Sequence, residues 1–300
     1  MILVMLAVAV FAAAQQPAQK SQPAGATGAT QQTSATPAPP PGKRPPQAKT
    51  QPEYDAFNAA RANQKDPAAM EKAADDFATK YPDSELRALL YKAAMGSYQN
   101  ANNADKMSEM AQKLLKFDGD DPDALVAVAE AIAVRTRDTD LDKDQRFDQA
   151  RKYAQRALET VDTDVAIPAG TPQSDIDAYK GGLRSSAYSV LGSIEYSQEK
   201  YSDAEGYFRK SIDAYPAQPD PVVMLRLTLS LDKQGRYPDA LKEANRAVEL
   251  TPDGTVAGTT ARHERDRLLQ LTGGSPAGSS PAPGSKPPAS APPSATPPAH

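Results

Sequence analysis

The chain has 300 residues, a formal net charge of −4, two histidines and no cysteine. The lack of cysteine excludes disulfides, thiol nucleophiles and zinc–thiolate sites, so any fold must be stabilised by apolar packing. Residues 53–272 hold 29 basic and 38 acidic side chains, and this acidic balance argues against a groove for nucleic acid.

The first 14 residues, MILVMLAVAVFAAA, form an apolar run that ends in small residues. Ala12 and Ala14 suit the −3 and −1 positions of a signal-peptidase site, and the run is shorter than the ~20 apolar residues that span a bilayer. We predict a cleaved signal peptide over residues 1–14, export to the periplasm or beyond, and no membrane span after cleavage. No lysine or arginine precedes the run, which leaves an uncleaved anchor as the alternative.

Two segments, residues 15–52 and 273–300, consist largely of Pro, Ala, Ser, Gln and Gly and contain no Asp or Glu. Such segments bury too little apolar surface to offset the entropy lost on ordering. We therefore predict two disordered, partly polyproline-II arms around a folded region at residues 53–272. We interpret the arms as spacers, with ligands for proline-recognition domains as the alternative.

The first half of the folded region predicts two helix pairs. The apolar spacing of residues 70–78 recurs at residues 107–115, an offset of 37, and is that of a helix with one buried face. Each of these helices has a predicted partner on its N-terminal side, at Tyr54–Asn63 and Leu86–Asn100.

The middle of the chain predicts a divergent pair followed by an insertion. Asp123–Val134 is rich in Ala and Val, and Gln145–Thr160 has the apolar spacing of a second helix. The insertion at Asp162–Ser174 leads into Asp175–Gln198, which forms one extended helix unless Gly181-Gly182 interrupts it.

The stretch PVVMLRLTLSLDKQGRYPDA, residues 221–240, alternates apolar and polar residues as a strand does. However, it opens with a proline and ends in a Gly-Arg-Tyr-Pro turn, which is typical of a helix followed by another helix. It aligns without a gap on residues 185–204 at an offset of 36, and such a period is typical of stacked helical units. The upstream copy resembles the tetratricopeptide repeat (TPR), and the matching residues are Leu191-Gly192, Tyr201, Ala204, Phe208 and Pro216. Residues 221–233 are therefore predicted to form the first helix, helix A, of a repeat.

The resemblance implies an all-α, right-handed TPR-like α-solenoid of about five helix pairs plus a capping helix. The repeats lie near residues 54–82, 86–119, 123–161, 185–216 and 221–252, and the cap spans residues 256–271. The phrase Phe77–Ser84 resembles the repeat junction of bacterial envelope TPR proteins.

The resemblance also implies a binding groove lined by the A helices, which holds extended peptides or partner helices. In this register the fourth repeat contributes Ser186, Ser189, Ser193 and Tyr196, and the fifth contributes Val222, Leu225, Leu229 and Asp232. The alternative is that the apolar stripe of the fifth repeat is covered by neighbouring helices. The basic and asparagine positions of the family's carboxylate clamp are not matched, so a bound C-terminal carboxylate is not predicted.

The sequence offers little for catalysis or metal binding. Its histidines, His263 and His300, lack metal-ligand spacing, and no phosphate loop or nucleophile elbow is present. The acidic run Asp138–Asp148 resembles a calcium loop, but Lys143 and Gln149 stand where an EF-hand requires Gly and Glu. We predict a solvated acidic turn, no cofactor, no metal and no enzyme.

We therefore expect an exported, non-catalytic scaffold with protein or peptide partners and a possible role in envelope assembly. A structural alternative is an envelope tether held by an uncleaved N-terminus. A third class, an enzyme or metal-dependent module, would need acids or histidines brought together from distant repeats.

Overall fold

The computed structural model describes residues 43–168 and 170–273, and these residues form eleven α-helices and no strand beyond one isolated bridge. The predicted signal peptide, most of the N-terminal arm and residues 274–300 lie outside the described residues. The helices are α1 Gln51–Arg61, α2 Pro67–Lys80, α3 Leu86–Asn100, α4 Ala104–Leu115, α5 Pro122–Arg135, α6 Lys143–Thr160, α7 Gln173–Ser197, α8 Tyr201–Ala214, α9 Pro221–Lys233, α10 Tyr237–Leu250 and α11 Val256–Leu271.

Three helices begin at an Asp-Pro pair, and the same physical chemistry starts each of them. Proline fixes the first helical dihedral and lacks the amide hydrogen that would be unpaired there. The aspartate then caps the first turn. Asp66 accepts hydrogen bonds from the amides of Ala68 and Ala69, while Asp121 and Asp220 cap α5 and α9 in the same way.

The helices pack as a linear series of antiparallel pairs. Every helix contacts its neighbours in the chain. The first helices of the pairs, the A helices, also meet one another at α1–α3, α5–α7 and α7–α9, and α9 meets the capping helix α11. The second helix of each pair is helix B. A chain of neighbour contacts of this kind is the architecture of a solenoid. The predicted all-α, TPR-like fold class is therefore confirmed.

Helix α9 resolves the ambiguous alternation of residues 221–233. Met224, Leu227 and Leu231 are almost fully buried in a core shared by α8, α9, α10 and α11. The helix has apolar residues on two faces because it lies between neighbouring pairs, and this explains why the sequence resembles a strand.

The contact between α7 and α8 depends on Gly192. A Cβ atom at this position would lie 2.6 Å from the Cε1 atom of the Phe208 ring, a distance that side chains in packed proteins do not adopt. Phe208 has no exposed surface. Glycine thus allows the phenylalanine of helix B to pack directly on the backbone of helix A.

Helix α7 is continuous through Gly181-Gly182 and is therefore the extended helix that the sequence left open. A Cβ atom at Gly181 would lie 2.8 Å from the carbonyl oxygen of Ala214, so glycine here permits the end of α8 to approach. The N-terminal part of α7 packs on the insertion through Ile176 and Leu183, which join a small core with Val161.

The structure differs from the predicted disordered arm at residues 43–52, because this segment is attached to the solenoid. The Lys43 Nζ atom lies 2.5 Å from Asp118 Oδ1, and Arg44 bonds both carboxylate oxygens of Glu85. The Lys43 amide donates to the carbonyl of Val165. A basic segment therefore lies along acidic loops between repeats, and α1 begins before the predicted boundary.

No helix among the described residues is long and apolar enough to cross a membrane.

Candidate functional site

The A helices α3, α5, α7 and α9 follow one another along the solenoid, and we call the surface that they form the A-helix groove. A cavity of about 200 Å³ opens in the middle of this groove, between α3, α4, α5, α7 and the connection from α8 to α9. Its walls are mainly apolar and include Met95, Met107, Val126, Ala127 and Leu183. Polar groups on the walls include Gln99, Ser185 and Ser186.

A buried charge network lies beside this cavity. The Lys92 Nζ atom of α3 is 2.9 Å from Asp121 Oδ2 and 2.5 Å from Asp123 Oδ2, and both aspartates have almost no exposed surface. Tyr179 of α7 donates a hydrogen bond to Asp123. Three A helices are therefore joined by one set of charged hydrogen bonds.

The pKa values in this network follow from burial and close charges. Burial alone would lower the pKa of Lys92, but the charges of Asp121 and Asp123 raise it well above its usual value. Burial raises the pKa of Asp121, Asp123 raises it further, and Lys92 opposes the rise. Burial, with Asp123 beside the ring hydroxyl, raises the pKa of Tyr179 well above its usual value. Lys92 is thus held as a cation at neutral pH.

Glu130 of α5 differs from these carboxylates because no residue of ranges 43–168 and 170–273 pairs with it. It lines the cavity, is partly buried, and makes no hydrogen bond or ion pair with any residue of the described ranges. Burial raises the pKa of Glu130, Asp220 raises it further, and Arg226 lowers it from a distance beyond ion-pair range. The guanidinium of Arg226 instead donates to Ser193 Oγ at 2.8 Å.

The residues predicted for the fourth repeat lie in the A-helix groove. Ser189, Ser193 and Tyr196 of α7 are half-buried, and the Ser193 hydroxyl donates to the Ser189 carbonyl at 2.7 Å. Tyr196 packs edge-on against Tyr201, with ring centroids 5.3 Å apart. The Ser193 hydroxyl donates one hydrogen bond to the Ser189 carbonyl and accepts another from Arg226, so the Ser189 hydroxyl is more available to a partner.

The apolar stripe predicted for the fifth repeat is only partly a surface. Val222 is 40% exposed at the start of α9, Leu229 is partly buried against the core, and Leu225 is only 8% exposed. Leu225 is therefore a core residue, and its prediction as a groove residue was wrong. The reason is that α9 lies between α8, α10 and α11, which share this core.

Of the residues that line the cavity, the sequence-based prediction of groove residues included only Ser186. One signal for Glu130 was available: it is the only charged residue between Asp123 and Arg135, in an otherwise Ala, Val, Ile and Leu stretch. An isolated carboxylate in such a helix is either paired or placed for a function. No comparable signal marks Tyr179 or Asp220.

Ion pairs and a backbone hydrogen bond hold the acidic run at Asp138–Asp148 in place. Asp140 accepts from Arg146 at 3.0 Å and from the amide of Arg137 at 2.9 Å, and Lys143 lies 3.5 Å from Asp138. Across residues 43–168 and 170–273, no group of three His, Cys, Asp or Glu side chains is arranged to hold a metal ion.

Comparison with known proteins relates the fold to helical repeats. Residues 184–215, which span the C-terminal half of α7 and all of α8, match the family model described as tetratricopeptide repeat. No curated protein matches the sequence.

Among solved structures, pilF of Pseudomonas aeruginosa is similar at a TM-score of 0.50 and 16% identity, over 74% of this chain and 87% of that chain. TTC0263, a thermophilic TPR protein of Thermus thermophilus, has a TM-score of 0.40 and 14% identity, over 73% of this chain and 100% of that chain. At 16% identity the likeness to pilF concerns the fold alone.

Proposed function

We propose that this protein is an exported, non-catalytic scaffold that binds protein partners along its A-helix groove in the bacterial envelope. A TPR-like fold is that of a protein–protein interaction scaffold, in which a preformed surface of helix faces contacts the partner. The export part of the proposal rests on residues 1–14 and the envelope part on the resemblance of Phe77–Ser84.

One observation carries the proposal: two successive A helices, α7 and α9, present exposed or half-buried side chains on the A-helix groove. Ser189 and Tyr196 of α7 are half-buried, and Val222 of α9 is 40% exposed. The cavity beside Glu130 opens onto the same surface. A partner could therefore contact several repeats at once, which adds weak contacts into a stable complex.

The proposal predicts that two long side chains inserted into the groove weaken partner capture at least tenfold. The full chain with Ser189→Arg and Val222→Arg is immobilised and exposed to an extract of bacterial envelope, beside the unchanged chain. Two long cationic side chains on adjacent A helices should obstruct the groove sterically. We expect at least a tenfold loss of the captured partner, a change of about 1.4 kcal/mol or more.

The matched control places the same charges on the B helices. Ser202 of α8 and Asn245 of α10 are both exposed, so Ser202→Arg with Asn245→Arg should capture the partner as the unchanged chain does. Circular dichroism establishes that both variants keep their helices. Equal capture by the two variants would contradict the proposal.

A further inference from the structure

We infer that the cavity beside Glu130 receives a lysine or arginine side chain of the partner polypeptide. The inference rests on the proposed function, since it names the chemistry that the A-helix groove recognises.

The charges of the cavity favour a cation. Its lining contains three carboxylates, those of Asp123, Glu130 and Asp220, and no lysine or arginine among the described residues. Asp123 is already paired with Lys92, and Asp220 accepts from the amide of Val222 at 2.8 Å. Glu130 is the carboxylate that a ligand could pair.

The carboxylate of Glu130 lines the cavity and is partly buried, so water solvates its charge less well than at an open surface. A cation placed next to Glu130 would offset this loss of solvation with a charge-assisted hydrogen bond. Arg226 does not fulfil this role, since its guanidinium is bonded to Ser193. Among the described residues, the carboxylate of Glu130 is therefore left for a ligand cation to pair.

The walls and size favour a side chain over a metal ion or a cofactor. Met95, Met107 and Leu183 provide apolar surface for the methylene stem that lysine and arginine carry below their charge. The volume of about 200 Å³ is smaller than the ~300–1,000 Å³ of most small-molecule sites. The carboxylates do not form a metal-binding cluster within the described residues.

Methyl groups on the cavity wall provide a direct test. The full chain is labelled with ¹³C at its methionine methyl groups and titrated with N-acetyl-lysine N-methylamide, and separately with the neutral norleucine analogue. Met95 and Met107 line the cavity, whereas Met70, Met110 and Met224 are fully buried and serve as internal references.

We expect the lysine probe to shift the Met95 and Met107 signals saturably, with a dissociation constant of order ~10 mM for one side chain. Glu130→Gln should weaken this binding about tenfold or more, while Glu249→Gln, an exposed change on α10, should leave it unchanged. Equal shifts with the norleucine analogue, or equal binding by Glu130→Gln, would overturn the inference. The absence of a saturable shift up to about 100 mM probe would overturn it as well.

The pH dependence provides a second readout. Because burial raises the pKa of Glu130, binding of the lysine probe should weaken as the pH falls through that raised value. Among the described residues, the charged groups near Glu130 are Asp220, which caps α9, Arg226 of α9 and Asp123 of its own helix. Glu130→Gln keeps these three groups. If probe binding by this variant still weakens as the pH falls, a group other than Glu130 causes the pH dependence.

Two further results separate this inference from neighbouring ones. If Lys20→Ala or Lys286→Ala shifts Met95 and Met107 without any probe, the chain's own lysine is the occupant and the partner inference fails. If the probe fails while the groove variants still lose the captured partner, the proposed function stands and only the cation inference falls.

Discussion

Replacing Phe208 by alanine is expected to lower the free energy of unfolding by about 3–5 kcal/mol. The ring is fully buried between α7 and α8 and belongs to the core that continues into α9, α10 and α11. Its removal leaves a cavity that the flanking helices cannot close, because both are fixed by other contacts. Urea unfolding followed by far-UV circular dichroism measures the change.

A double-mutant cycle with Gly192 tests the reason for this loss. Gly192→Ala alone should cost about 1–3 kcal/mol because its methyl group meets the Phe208 ring. In the Phe208→Ala background the same change should cost much less, since the methyl group enters the vacated space. Gly206→Ala is the control: nothing lies within 4 Å of its Cβ position on α8, so it should stabilise the helix by about 0.5–1 kcal/mol. Additive losses at Gly192 and Phe208 would contradict the packing described.

Replacing Lys92 by methionine is expected to lower the free energy of unfolding at pH 7 by about 3 kcal/mol. The change keeps the apolar stem but leaves Asp121 and Asp123 buried without their cation. Thermal and urea unfolding of the full chain measure the loss. Lys72→Met is the matched control; its lysine forms an exposed pair with Asp76, and the change should cost less than about 1 kcal/mol.

The sign of the pH dependence distinguishes this mechanism from lost packing. In the unchanged chain the charge of Lys92 opposes the rise in the pKa of Asp121. Without Lys92 that pKa should rise further, so the folded variant takes up a proton at a higher pH than the folded unchanged chain does. The deficit relative to the unchanged chain should therefore narrow as the pH falls from 7 towards 4. A deficit that is constant over this range would indicate lost packing instead.

The helical solenoid could be predicted from the sequence because its signals are local and periodic. The offset of 36 residues identified α9 as a helix, and Gly192 and Phe208 have the spacing of a repeat in which one helix packs on the next. The continuity of α7 could not be predicted. It depends on how closely α8 approaches Gly181, which is a tertiary distance.

The prediction that the folded region starts at residue 53 was wrong because it followed the composition of the arm and overlooked a sequence signal for the start of α1. Thr50 and Glu53 have the spacing of a capping box, and the Thr50 hydroxyl accepts from the Glu53 amide at 3.3 Å. A Pro-rich and Gln-rich stretch without acids nevertheless resembles a flexible arm. What orders it is the pairing of Lys43 with Asp118, 75 residues away, which no local pattern reveals.

The groove residues could be predicted only in part, for a related reason. Helical register placed Ser189 and Val222 on A helices, but it could not show that neighbouring helices cover Leu225. The importance of Glu130 depends on the absence of a partner within the described fold. That is a property of the surrounding helices rather than of α5.

The central claim, that partners bind on the A helices, is tested most directly by photo-crosslinking in cells that produce the full chain. A benzophenone amino acid replaces Ser189 of α7 in one variant and Ser202 of α8 in another. The account predicts a covalent adduct with a partner protein from the Ser189 position and none from the Ser202 position. Adducts from Ser202 alone, or equally from both positions, would contradict it.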